Sequence, residues 1–380
     1  MKNKPKSILF LSSWYPSKNH STLGNFIQYH AEAVATQNKV YVLYLSPTEK
    51  DQDFLIDNKI INKVDTTIIY FKKNKWKKYL DYLYAFKKGV EFLMLNKKVK
   101  FDCVHMNIIH PSGWQALYLY KKYKLPYIIS ENWHGFQDLS KYKIGFFRRM
   151  LIKKVIENAS FVCPVTQQLK KAIQSINYKA NYTVVPNVVD IKRFKPADKK
   201  HHSFTFLHIS TLTDDIKNIS GILHSYSQLE HQDILLRIIG DGETSWIKDK
   251  ARSLNIPDNA ILIENEKTHD EIAIAMQQAD CFVLFSNIEN LPLVIIESMA
   301  CGLPIITTDV GGISEHMDDS KGKMIKSKDS DSLTKSMKFM ILNSANYDSK
   351  LIRDYAVENF GNDSISRQFN DLYNRAIDNL

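Results

Sequence analysis

The pattern that most restricts the fold of this chain is a recurrence. Short, wholly apolar runs alternate with longer stretches whose apolar residues return at helical spacing. The run Ser7-Ile-Leu-Phe-Leu-Ser-Ser13 comes first and reads as a strand buried on both faces, the kind found in parallel sheets. Residues 40–45, 67–71, 103–106, 127–130 and 161–164 read as further strands. Helical patterns cover 25–37, 75–95, 113–122 and 146–158 between them. This alternation predicts an open parallel α/β sheet.

Around residue 186 the pattern breaks. Tyr182-Thr-Val-Val-Pro-Asn-Val-Val-Asp190 opens as a strand that Pro186 and Asn187 end, and a polar linker rich in Lys and His runs to His202. A second series follows, with strands at 204–210, 235–240, 260–263, 281–286 and 304–307 and helices between. A chain of 380 residues exceeds what one core serves. Two α/β bodies joined by a hinge at 187–203 are therefore expected, without a sequence-level repeat.

Charge separates the halves. Residues 1–190 hold 30 Lys and Arg against 13 Asp and Glu, whereas 191–380 hold 21 against 28, so a net +10 divides into +17 and −7. A basic half suits an anionic membrane surface, an acidic substrate or a nucleic acid; lysine-rich solvated faces account for it equally. Segments 72–79 and 146–154 mix aromatic and aliphatic residues with cations, which fits an anionic lipid surface. No nucleic-acid motif is present, so no nucleic-acid partner is expected. No apolar run reaches the ~18–20 residues of a membrane span, and 8–11 is too short for a signal peptide. A cytoplasmic protein is expected, with peripheral placement on the inner face of the cytoplasmic membrane as the alternative to a fully dissolved one. Cys103, Cys163, Cys281 and Cys301 lie far apart in apolar contexts and read as buried thiols rather than a disulfide or zinc set.

Ligands of open α/β sheets bind beyond the carboxyl ends of the strands. The segment 285–304 dominates there: Phe-Ser-Asn-Ile-Glu289-Asn-Leu-Pro-Leu-Val-Ile-Ile-Glu297-Ser-Met-Ala-Cys-Gly-Leu-Pro. A strand ends, a loop carries Glu289, and a helix begins near Pro292 with Glu297 inside it. The N-terminus of such a helix suits a diphosphate. Glu289 would reach a sugar and Glu297 the paired hydroxyls of a ribose. The alternatives are a first-turn acid at Glu289 and a solvated helix face at Glu297, the latter at odds with its apolar neighbours.

This segment resembles the E-x7-E signature of the retaining family 4 glycosyltransferases. So do Val185-Pro-Asn-Val-Val-Asp190 with Phe194, Ile239-Gly-Asp-Gly-Glu243, Ala279-Asp280, and the run from Pro304 to Gly311-Gly312 and Glu315. The resemblance spans nearly the whole chain. It implies the GT-B fold: an acceptor domain at 1–187 and a nucleotide-sugar donor domain at 188–361, two Rossmann-like domains facing each other across a cleft, with a C-terminal helix at about 362–380 crossing back to the N-terminal domain.

Residue by residue, the resemblance gives Glu289 to the donor sugar and Glu297 to the ribose. The backbone N–H groups of Leu291, Leu293 and Val294 go to the diphosphate, beside Asn290 and the N–H-less Pro292. Lys217 goes to the departing phosphate, and Gly240 and Gly24 to close backbone approach at the donor. An arginine usual in the family near Ser210, Thr211 or Leu212 is missing, with Arg237 and Arg252 as distant candidates. The catalytic-region histidine is assigned to His134, although relatives carry it where this chain has Asn132; His105 and His110 compete. The implied chemistry is transfer with retention, from a nucleotide-diphosphate sugar (UDP ahead of GDP) to a glycan or lipid-linked hydroxyl acceptor, with no cofactor and no metal. Asp51–Asp53 and Asp329–Asp331 form Asp-x-Asp strings in polar, loop-like segments and read as chance.

Overall fold

The computed structural model describes residues 4–20, 22–48, 54–74, 76–137, 144–198 and 203–379; the side chains of His134 and Gln137 lie outside that description. The chain divides into two compact units, Met1–Val188 with Asn362–Leu380, and Val189–Gly361.

The N-terminal unit carries seven strands, β1 (Ser7–Ser12), β2 (Lys39–Thr48), β3 (Leu55–Ile61), β4 (Val64–Lys72), β5 (Cys103–Asn107), β6 (Tyr127–Glu131) and β7 (Phe161–Pro164). Helices α1 (Asn25–Val34), α2 (Lys78–Glu91), α3 (Trp114–Tyr123), α4 (Phe146–Glu157) and α5 (Gln167–Ser175) connect them. The sheet order is β3-β4-β2-β1-β5-β6-β7, so β1 lies between β2 and β5, which explains why Ile8 to Leu11 are wholly buried. The chain leaves β1 toward β2 on one side and returns on the other at β5. That reversal opens a crevice at the carboxyl ends of the two strands.

The sheet is not purely parallel. β3 pairs antiparallel with β4 through a turn at Asn62 and Lys63, whose φ angles are 47° and 70°. β3 contains no apolar run, because its side chains are exposed or half-buried at the sheet edge, and so it escapes a search for buried strands. Two residues with positive φ are what a tight hairpin demands. The segment expected to open as a strand at Tyr182 runs beside β7, with a bridge from Tyr182 to Val162 and a bond from the Val185 N–H to the Pro164 carbonyl at 3.1 Å, and ends at Pro186, which has no N–H to give.

The second unit has β8 (Phe204–Thr211), β9 (Ile234–Asp241), β10 (Ile261–Glu264), β11 (Cys281–Leu284), β12 (Ile305–Thr308) and β13 (Gly322–Ile325) in the order β10-β9-β8-β11-β12-β13, with each neighbouring pair parallel. Its helices are α6 (Asp214–Lys217), α7 (Ile219–Ser227), α8 (Ser245–Ser253), α9 (His269–Gln278), α10 (Leu293–Ala300), α11 (Ser330–Asn343) and α12 (Ser349–Phe360). Its reversal falls between β8 and β11.

The Asp329–Asp331 string lies at a helix start rather than in a loop. Asp329 caps α11, accepting from the backbone N–H of Ser332 at 3.0 Å. Asp51–Asp53 lies outside the described residues.

The last helix, α13 (Asn362–Asp378), belongs to the N-terminal unit and packs on α1. Its inward face buries Ile365, Phe369, Leu372 and Tyr373 at helical spacing. Tyr373 Oη lies 2.6 Å from His105 Nδ1, whose other ring nitrogen is 2.7 Å from Ser130 Oγ. All four cysteines are buried.

Candidate active site

In the C-terminal unit the two strands at the reversal each end in a loop, and the loops are stitched together. After β8 the chain forms the single turn α6 and stops at Asn218, which adopts a left-handed φ of 51°. After β11 it continues through Phe285 and Ser286, both fully buried, into the loop at 287–292. The Asn287 N–H donates to the Ile216 carbonyl at 2.7 Å, and Asn287 Nδ2 donates to the Asp215 carbonyl at 3.0 Å. These bonds bring together two side chains 72 residues apart, and Lys217 Nζ donates to Glu289 Oε1 at 2.6 Å. Ser286 Oγ donates to the same oxygen at 2.8 Å. The side chains keep only 15% and 9% of their surface, so the pair is fixed rather than a solvated surface contact.

Two features hold Glu289 from behind. Gly312 donates its N–H to the Asn290 carbonyl at 2.9 Å. At Gly311, with φ at +63°, a Cβ would fall 2.2 Å from the Glu289 carbonyl oxygen and 2.8 Å from that of Asn290. Only glycine allows the two backbones this close. Leu291 is buried, and Pro292 occupies the N-cap position of α10 with extended backbone, so Leu293 and Val294 form the helix's first turn.

Glu297 sits in the middle of α10 among Ile295, Ile296, Ser298 and Met299, 4% exposed. Burial raises its carboxyl pKa from 4.5 to about 8, against a weaker downward pull from Arg193. The solvated-face alternative therefore fails. A buried acid on the first turns of a helix beyond a β-strand can exchange hydrogen bonds with a diol.

Gly240 is still inside β9, and a Cβ there would meet the Ser210 carbonyl oxygen at 2.2 Å and Leu212 Cδ2 at 2.5 Å. The turn glycine of that motif is Gly242, at φ +134°. Ser210 is engaged by His208 Nε2 at 2.8 Å and Leu212 is buried, so no cation stands at the end of β8 where the resemblance would place an arginine. Arg237 is committed to Glu264 at 2.6 Å, and Arg252 pairs with Asp249 on an exposed face.

In the N-terminal unit Gly24 caps α1 with φ +80°, and a Cβ would lie 2.8 Å from the Trp14 carbonyl carbon and oxygen. The glycine thus lets the helix start approach its own preceding loop. His134 opens the short turn His134–Gln137, and its side chain lies outside the described residues. Asn132 Nδ2 donates to Asn187 Oδ1 at 2.8 Å. His105 is the buried link between Tyr373 and Ser130, a structural histidine. His110 stacks on Trp133 with ring centroids 5.4 Å apart.

Glu131, the last residue of β6, organises this loop. Its buried carboxylate accepts backbone N–H bonds from Ile109, Asn132 and Trp133 at 2.8–3.0 Å, while desolvation raises its pKa to about 7. A lone acid ending an apolar strand is the signal that marks it. Among the described residues, no group of three or more His, Cys, Asp or Glu is placed to hold a metal ion.

Comparison with known proteins follows the division of the chain. A sequence profile described as Glycosyltransferase Family 4 matches residues 23–193, and one described as Glycosyl transferases group 1 matches 189–356. The chain is 28% identical over 195 residues to an uncharacterized glycosyltransferase of Methanocaldococcus jannaschii, 47% of either protein. It is 21% identical over 237 residues to a putative teichuronic acid biosynthesis glycosyltransferase, TuaC, of Bacillus subtilis, covering 62% of this chain and 60% of that one. The chain thus spans about half the length of these curated relatives.

Among solved structures it is similar to sucrose-phosphate synthase of Thermosynechococcus elongatus, with TM-score 0.80, 17% identity and coverage of 99% and 100%. It is also similar to Anabaena HepE in complex with UDP, with TM-score 0.74, 15% identity and coverage of 96% and 98%. At such identities the likeness speaks for the fold.

Proposed function

The chain belongs to the GT-B glycosyltransferases related to family 4, and on that premise we propose that it moves a sugar, with retention, from a nucleoside-diphosphate sugar to a hydroxyl acceptor. The observation that carries this reading is the Lys217–Glu289 pair at the β8/β11 reversal, joined through one short loop to α10 and its buried Glu297. Glu297 takes the ribose hydroxyls. The first turn of α10 and Lys217 face the diphosphate, where negative charge grows as the glycosidic bond breaks. Glu289, held by Lys217 and Ser286, orients the sugar hydroxyls and forms no covalent bond, unlike the paired acids of glycosidases. UDP is favoured over GDP as the donor nucleotide because HepE, of like fold, is described with UDP bound.

The acceptor is a glycan or lipid-linked precursor of a cell-surface polymer, in keeping with the described role of TuaC. It is taken by the basic N-terminal unit. Peripheral contact with the inner face of an anionic membrane is supported by exposed aromatics among lysines and arginines: Trp76, two residues before α2, is 98% exposed, and Phe147 on α4 is 84% exposed. Co-sedimentation with phosphatidylglycerol vesicles at low salt tests that contact, and a protein that stays in the supernatant lacks it. Among the described residues no helix is long and apolar enough to cross a membrane.

The test of the reaction is transfer or slow hydrolysis of a UDP-sugar, with the anomeric configuration of the product read by NMR. Retention supports the reading, and inversion rejects it. The absent arginine and the Asn132–Asn187 bond favour one second reading, a silent sugar-nucleotide-binding protein of the same fold. Donor binding without any turnover would establish that reading.

A further inference from the structure

Between α2 and α4 of the N-terminal unit lies a cavity of about 380 Å³ that the donor chemistry leaves unused. Its walls are apolar: Leu83 from α2, Ile109 and Trp114 beyond β5, and Ile152 and Val155 from α4. Its rim is cationic and aromatic, with Lys78 and Tyr79 on one helix, Arg148 on the other, and His110 between. Arg148 Nη2 donates to Tyr79 Oη at 3.2 Å, which ties the two helices at the rim. None of the lining residues is acidic. Phe146 and Phe147, exposed on α4 directly before Arg148, and Tyr79, 74% exposed, extend the apolar surface outward from the cations.

An apolar chamber within the ~300–1,000 Å³ range of small-molecule sites, edged by cations and facing bare aromatics, calls for a ligand with a hydrocarbon part and an anionic head. Resting on the acceptor reading above, we propose that this cavity holds the hydrocarbon anchor of a lipid acceptor, with the acceptor's phosphate at Lys78 and Arg148. The chamber is small and takes one chain. That separates an acceptor with a single-chain anchor from the two-chain phospholipids of the surrounding bilayer. The geometry sets the acceptor class as a single-chain lipid phosphate carrying the hydroxyl to be glycosylated.

Calorimetric titration of the full chain tests this with decyl phosphate, decanol, inorganic phosphate and dihexanoylphosphatidylglycerol, all below their aggregation limits. Decyl phosphate is expected to bind at least about tenfold more tightly than the other three, since only it brings one chain and a phosphate together. Leu151→Trp, at the partly exposed mouth, fills the opening and is expected to lower decyl phosphate affinity at least about tenfold, with circular dichroism confirming the fold. Arg148→Ala, on an exposed side chain, should bring decyl phosphate down to the level of decanol. Binding that both variants leave unchanged overturns the proposal, as does equal binding of the two-chain lipid, or no binding of decyl phosphate.

A parallel thermal shift with UDP, GDP and ADP keeps the two readings apart. A UDP response without decyl phosphate binding rejects the cavity alone. Decyl phosphate binding without a response to UDP, GDP or ADP supports the cavity and rejects the transferase reading.

Discussion

Lys217 and Glu289 meet where little water can stand in for either partner. Removing one leaves the other charged and poorly solvated. Lys217→Ala is therefore expected to cost at least about 1–3 kcal/mol of stability, the range for an unsatisfied buried polar group, and to lower transfer about 100-fold or more through the lost phosphate contact. Pairing Lys217→Met with Glu289→Gln should recover stability but not transfer, as denaturant melts and rates on the same proteins would show.

Glu297 behaves differently, because its carboxyl pKa is raised from 4.5 to about 8. Between those values the folded chain holds a proton that the unfolded chain has lost, so this group's contribution falls as pH rises and is fully present only below the lower value. Glu297→Gln should flatten that slope. The ligand-free variant then gains on the parent by at most about 1.4 kcal/mol per pH unit across the window, as melts at several pH values would show. Both acids were legible because a strand, a loop and a helix start surround them in sequence. The Lys217–Glu289 bond was not, since a separation of 72 positions in the chain gives no sign of Asn287 lacing the two loops together.

At the scale of elements, the wholly apolar strands were readable because burial on both faces leaves a continuous apolar run. The edges were not. β3 holds its place through backbone pairing with β4 and a left-handed turn, and β13 is a four-residue strand opening on Gly322. The loop that presents Glu289 depends likewise on an element remote in sequence, the Gly311-Gly312 turn. Gly311→Ala puts a methyl group 2.2 Å from the Glu289 carbonyl and forces a residue with a side chain into a left-handed φ. It should destabilise the unit by at least about 1–2 kcal/mol and weaken sugar-nucleotide binding along with it. A variant that loses stability but binds the donor normally would detach this turn from the site.

For the whole molecule, two features of the sequence correspond to distinct bodies. The excess of cations falls in the unit that holds α2 and α4, and the E-x7-E segment falls in the other. The helical spacing of Phe369, Leu372 and Tyr373 showed a buried face, but their spacing could not say which core receives it. Tyr373 on His105 and Phe369 beside His30 answer that in favour of the N-terminal unit. The donor claim rests on the C-terminal unit alone, so it can be tested without knowing the acceptor.

The most direct test is the thermal stability of the full chain with UDP, GDP and ADP, repeated on Glu297→Ala. A nucleotide at 100 times its dissociation constant should stabilise the protein by about 2.7 kcal/mol. The account predicts such a shift with UDP, smaller or absent with the others, and lost in the variant. No shift with any nucleotide, or a UDP shift that Glu297→Ala leaves intact, would contradict it.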